Sequence, residues 1–249
     1  MKDTSLKIFV IQNRDPEIPI KSPNFLKIVK GGYQPSKGDY IQDNLGENIS
    51  DRDLTWAEIT AFYYVWKNYK NLEFVGFCHF RRYFYALSEY PYFGQDFFNL
   101  TPTAENMEIL TSEVNVNALK RILTVTDCIV ARPRRFAVSV KDQFCSVHPD
   151  WDIFIEGIRH LGSPYADYCA WFDHTNSINC CNMFIMRWTD FDKYMSVLFR
   201  LLDWVGARRI YSDKQIAYQA ERFLSFYLHV NRLSKVEIPY AMLEAGMVS

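Results

Sequence analysis

The chain has 249 residues, 49% hydrophobic and 16% aromatic, enough to bury one large core, and one domain spanning 1–249 is its simplest organisation. Lys and Arg number 28 against 29 Asp and Glu, a formal charge of -1, so no net basic field draws the protein to nucleic acid or anionic lipid. An anionic ligand must therefore be met by a local cluster of cations.

Read in chain order, the N-terminal residues carry charge but no apolar h-region, and the first apolar run, Ile8 to Ile11, is too short to export or to span a bilayer. A cytosolic chain is expected. Lys7–Ile11 reads as the first strand, Phe74–Cys78 as a buried central strand, Cys128–Ala131 as another and Met183–Met186 as a fourth. Between the first two strands, Thr55 and Glu58 have the spacing of a capping box, followed by Trp56, Ile59, Phe62, Tyr63, Trp66 and Tyr69 on one helical face. Helical stripes recur at Val116–Leu123, Phe191–Leu202 and Ile216–Tyr227. Short apolar runs alternating with such stripes predict an α/β fold, a mainly parallel sheet flanked by helices. The segment 87–103, rich in Tyr and Phe with two Pro and a Gly, reads as a long aromatic loop, either packed on the core or offering rings to a sugar. The six Cys form no CxxC pair and are expected to be reduced thiols; adjacent Cys180 and Cys181 near His174 fit no zinc spacing.

Two polar stretches could carry chemistry. At Phe77–Phe84 a buried strand runs directly into His79, Arg81 and Arg82. Ligands of open α/β sheets bind at the carboxyl ends of strands, and paired guanidiniums can neutralise a pyrophosphate through charge-assisted hydrogen bonds. The competing reading is a structural Arg pair bridged to carboxylates. At Asp39–Asp53, Asn44, Asn48 and Ser50 precede the expected helix start, where unpaired N–H groups could help to read a base, ribose or sugar hydroxyl; otherwise the stretch is a solvated turn.

Gly46-Glu47-Asn48-Ile49-Ser50, then Trp56 to Asn68, then Val75 to Phe84, then Asn182 to Met186 and Ala220-Glu221-Arg222-Phe223-Leu224 occur in that order. Together they resemble bacterial capsular and exopolysaccharide glycosyltransferases. The resemblance implies a GT-A-like nucleotide-sugar fold and transfer of a hexosyl group, galactofuranosyl or galactosyl, from a UDP-linked donor. It also implies a glycan or lipid-linked glycan acceptor in capsule, O-antigen or exopolysaccharide synthesis, met by peripheral association at the inner membrane face. On the donor side it places His79, Arg81, Arg82, Asp43, Asn48 and Ser50, with Asn13 a further donor-side candidate although Gln12-Asn13 stands where the family commonly has a Ser/Thr-His pair; His148 and Asn182 are placed toward the sugar or acceptor. Glu221 looks analogous to the catalytic base of inverting members, with Asp213 in reserve; the bland alternative for Glu221 is an ion pair with Arg222.

Enzymes of this fold often hold a divalent ion with Asp-x-Asp after a central strand. Here that place reads His79-Phe80-Arg81, so transfer without a metal is the expectation, with Mg²⁺ or Mn²⁺ as the alternative. Asp190-Phe191-Asp192 and Asp51-Arg52-Asp53 have the spacing, but the first pair suits a helix start. Neither a Gly-x-Gly-x-x-Gly nor a Walker-type sequence follows the first strand, which argues against dehydrogenases and kinases. A non-catalytic glycan- or nucleotide-binding module remains the rival reading.

Overall fold

The central strands are apolar at nearly every position because both of their faces are covered. In β1 (Leu6–Gln12), Phe9 and Ile11 enter one core, while Leu6, Ile8 and Val10 enter a second. The same alternation divides Val75 and Phe77 from Phe74 and Cys78 in the strand at Phe74–His79. The structure, a computed structural model, describes residues 5–13, 18–36, 38–70, 72–87 and 96–244.

After β1 come β2 (Phe25–Val29), β3 (Ile41–Gln42), β4 (Phe74–His79), β5 (Arg82–Phe84) and β6 (Phe97–Leu100). Then follow β7 (Cys128–Ala131), β8 (Pro133–Arg135), β9 (Ser177–Asn179), β10 (Phe184–Arg187), β11 (Lys235–Ile238) and β12 (Tyr240–Leu243). The main sheet runs β11-β7-β10-β4-β1-β2-β3, with β5, β6 and β12 branching from β4; β8 and β9 form a separate antiparallel ribbon. Along the main order every strand points the same way except β10, which is antiparallel to both β4 and β7. This is the mainly parallel α/β sheet that the alternation of strands and helical stripes predicts.

The helices are α1 (Asp53–Trp56), α2 (Ile59–Asn68), α3 (Ala104–Thr111), α4 (Glu113–Leu123), α5 (Val140–Cys145), α6 (Trp151–His160), α7 (Trp171–His174), α8 (Trp188–Gly206) and α9 (Gln215–Val230). Helices α2, α5, α6, α8 and α9 cover the Phe77 side of the sheet, while α3 and α4, with β5, β6 and β12, cover the Cys78 side. Among the described residues no helix is long and apolar enough to cross a membrane.

Two details depart from expectation. The capping box does not form: the chain is already helical from Asp53, breaks at Ala57 (φ 47°, ψ -123°) and restarts at Ile59. The Thr55 hydroxyl turns back to the Arg52 carbonyl, and Glu58 reaches across the molecule to Asn182 instead of capping. In the aromatic segment, Phe97–Leu100 is a strand, held by parallel pairing with β12; residues 88–95 lie outside the described part. Close packing also shows at Gly76, where a Cβ would stand 2.7 Å from Ile185 Cγ1 and 3.2 Å from the Phe184 carbonyl.

Candidate active site

The chain leaves β1 toward β2 and β3 on one side, then returns to place β4 on the other, so the β1/β4 boundary is the switch point where open α/β sheets bind ligands. A cavity of about 790 Å³ opens there. Gln12 and Asn13 at the end of β1 and His79 at the end of β4 form its floor, and α9 contributes Tyr218, Glu221 and Arg222 to a wall.

A strained turn organises this floor. Cys181 and Asn182, just before β10, have φ of 73° and 48°, in the left-handed region that non-glycine residues seldom occupy. Three elements hold it. The Cys181 N–H donates to Glu221 Oε1, the Cys181 carbonyl lies 2.5 Å from His79 Nε2, and Asn182 Nδ2 donates to Glu58 Oε1 at 2.7 Å. A carbonyl can only accept, so His79 carries its proton on Nε2 and leaves Nδ1 as an acceptor. Burial is the main reason that the His79 pKa falls below its usual value, with Glu58 opposing.

Glu221 also meets Arg222 at 3.0 Å, and burial raises its pKa against the opposing pull of Arg222 and the Cys181 N–H. Arg222, its side chain 7% exposed, is held further by Gln143 at 2.7 Å, and burial lowers its pKa. The ion pair with Arg222 and a place in the cavity wall thus coexist in Glu221.

The electrostatics of the cavity contrast with the near-neutral chain. Seven Lys and Arg line it against three acidic residues, Glu58, Asp96 and Glu221. Arg81 sits in the turn between β4 and β5, its guanidinium over the Phe80 ring at 5.2 Å, and Arg82 opens β5 opposite His79. Neither makes a salt bridge among the described residues, and Arg82 Nε is buried without a partner. Among the described residues, then, Arg81 and Arg82 are not bridged to carboxylates. Arg134 on β8 and Lys214 before α9 add charge to the rim.

Of the residues singled out from sequence, Asn13, His79, Arg81, Arg82, Asn182 and Glu221 line this one cavity. The others stand apart from its lining. Asp43 is 1% exposed and accepts from the Thr60 hydroxyl at 2.6 Å and the Gly31 N–H at 3.2 Å; burial raises its pKa. Asn48 and Ser50 bond to each other, closing the solvated turn that their composition also allows. The His148 ring packs at a tilt against that of Tyr218, centroids 4.9 Å apart, and Tyr218 in turn lines the cavity. Asp213 is exposed, in the loop that leads into α9.

Among the described residues no three His, Cys, Asp or Glu side chains converge as a metal site. Asp192 accepts from Trp66 Nε1 at 2.7 Å and Asp190 lies 3.8 Å from Lys193, while Asp53 pairs with Lys30 at 2.5 Å. The residues at the end of β4, in the turn after it and at the start of β5, an imidazole and two guanidiniums, do not fit a hard divalent ion.

Sequence reasoning missed Glu58, taken for a cap, and Arg134. A signal for Arg134 was present: Cys128–Ala131 runs straight into Arg132-Pro133-Arg134-Arg135, the same pattern of apolar strand followed by cations that marked Arg81 and Arg82.

Residues 7–232 match the family described as a domain of unknown function, DUF4422. The chain belongs to that family. No curated protein sequence matches it. Among solved structures, this DUF4422 chain is similar to the WbbM bifunctional glycosyltransferase in its apo form, with a TM-score of 0.85 and 21% identity over 96% of this chain. It spans 45% of that protein's length. At this identity the likeness establishes a shared glycosyltransferase GT-A-like fold, a mainly parallel sheet flanked by helices.

Proposed function

We propose that this chain is a glycosyltransferase that moves a hexosyl group from a nucleoside-diphosphate sugar, UDP-linked, to a hydroxyl of a glycan acceptor. The observation that carries this reading is the excess of guanidinium and ammonium groups in a cavity at the switch point, where Arg81 and Arg82 form no ion pair with any of the described residues. The shared fold with a glycosyltransferase agrees with it. So does the order of sequence motifs, which also suggests a glycan of capsule, O-antigen or exopolysaccharide, reached at the inner face of the membrane.

In the reaction the acceptor oxygen bonds to the anomeric carbon, the bond from that carbon to the phosphate oxygen breaks, and its electron pair leaves with the nucleoside diphosphate. Arg81 and Arg82 neutralise the charge that develops there, as preorganised cations in a partly dehydrated site do. The acceptor proton goes to a carboxylate. Glu221 is our assignment, because burial raises its pKa and so strengthens it as a base. We infer that the guanidiniums do the work a divalent ion does in other enzymes of the fold.

The test is a thermal-shift panel of UDP, GDP, CMP and dTDP and their sugars, followed by product analysis with the best donor. Stabilisation by one nucleoside diphosphate and formation of a glycosylated product are expected. A chain that ignores the whole panel is not a transferase of this kind.

A further inference from the structure

Three side chains that line the cavity have hydrogen-bonding capacity that the described residues leave unmet. Gln12 is 1% exposed, yet neither its amide oxygen nor its amide nitrogen has a partner among the described residues. Asn182 is 2% exposed; its Nδ2 serves both Glu58 Oε1 and the Ala217 carbonyl, while its Oδ1 is unmatched. Glu58 uses one oxygen for Asn182 and stands half-buried in the same wall. Buried polar atoms are nearly always satisfied, so this cluster is shaped for something that arrives.

Its chemistry can be read from the inventory of donors and acceptors. Asn182 Oδ1 and the second Glu58 oxygen accept only, whereas Gln12 needs one partner that donates and one that accepts. A phosphate, rich in acceptors and anionic, fits neither the lone oxygens nor the Glu58 charge. A ring of hydroxyls fits all of them, because each hydroxyl rotates to donate or to accept. The guanidiniums of Arg81 and Arg82 line the same cavity and suit the phosphate.

Resting on the transferase reading above, we propose that Gln12, Glu58 and Asn182 form a hydroxyl-reading cluster that receives the donor's hexose ring and determines which sugar is accepted. Neither Gln12 nor Glu58 touches the diphosphate; the two ends of the donor are recognised by separate groups. Sites built to hydrogen-bond a hydroxyl reject analogues that lack it, because their own polar groups would stay unpaired.

The experiment compares dissociation constants for UDP and for UDP-glucose, UDP-galactose and UDP-galactofuranose in the wild type, Gln12→Leu and Glu58→Gln. Gln12→Leu removes no side-chain hydrogen bond to the described residues, and Glu58→Gln keeps an acceptor for Asn182 while turning the other oxygen into a donor. One UDP-hexose is expected to bind the wild type more tightly than UDP. In both variants UDP affinity should hold within about twofold while that added affinity falls by about 10- to 100-fold. The inference is overturned if the variants keep the sugar's added affinity, if they lose UDP and UDP-hexose affinity in parallel, or if no hexose adds affinity in a wild type that binds UDP. A wild type that binds no nucleotide of the wider panel sinks the transferase reading itself, a separate and recognisable result.

Discussion

Glu221, near the middle of α9, accepts a hydrogen bond from the backbone N–H of Cys181, a residue held at positive φ. This contact fastens a helix to the turn that builds the cavity floor. Glu221→Gln keeps an acceptor for the Cys181 N–H but removes the charge and the carboxylate proposed as the base. Turnover should fall by about 10²- to 10⁴-fold with UDP binding retained. Steady-state rates beside calorimetric binding check this, and a near-normal rate would move the base elsewhere, to Asp213 first.

Arg81→Ala and Arg82→Ala should each weaken UDP binding by about 10- to 100-fold, since each deletes a charge-assisted contact in a partly dehydrated cavity. Transfer by the wild type should be insensitive to EDTA. Strict dependence on added Mn²⁺, or full UDP affinity in the double Arg variant, would refute the guanidinium assignment.

His79 gives the fold a pH dependence whose sign follows from its environment. Burial lowers its pKa in the folded state below the usual 6.5. As pH falls through 6.5 the unfolded chain takes up a proton that the folded chain refuses, so stability drops between 6.5 and the folded value and then levels off. His148, lowered in the same direction mainly by burial, adds to the slope. In His79→Gln, where the side-chain amide can still donate to the Cys181 carbonyl, urea midpoints between pH 7.5 and 5.5 should change less than in the wild type, with the His148 part remaining.

Gly76→Ala should destabilise the protein by about 1–3 kcal/mol, because the new methyl meets Ile185 and the backbone of β10 at the centre of the sheet. A melting temperature lowered by several degrees is expected. An unchanged melting temperature would mean that β4 and β10 can separate without penalty.

Much of the architecture was legible in the sequence because covered strands must be apolar on both faces. Cys128–Ala131 and Phe74–Cys78 show this as unbroken apolar runs. The short strands β5, β6 and β12 were not legible: partners far along the chain stabilise them, as β12 does for Phe97–Leu100 within an irregular aromatic stretch. In the site, Arg81 and Arg82 could be found because charge directly after a buried strand is conspicuous. Glu58 could not, because its spacing from Thr55 imitates a helix cap. Only the break at Ala57 and the distant Asn182 show that the carboxylate faces the cavity.

The antiparallel direction of β10 has a kinetic consequence. It brings the Cys181–Asn182 turn to the same sheet edge as the ends of β1 and β4, so the floor joins residues separated by 102 positions between His79 and Cys181 and 124 between Glu58 and Asn182. Loops that long close late, after local helices and adjacent strands have formed. During refolding, recovery of ligand binding should therefore trail recovery of helical signal, and a growing chain gains a working pocket only once α9 has been made.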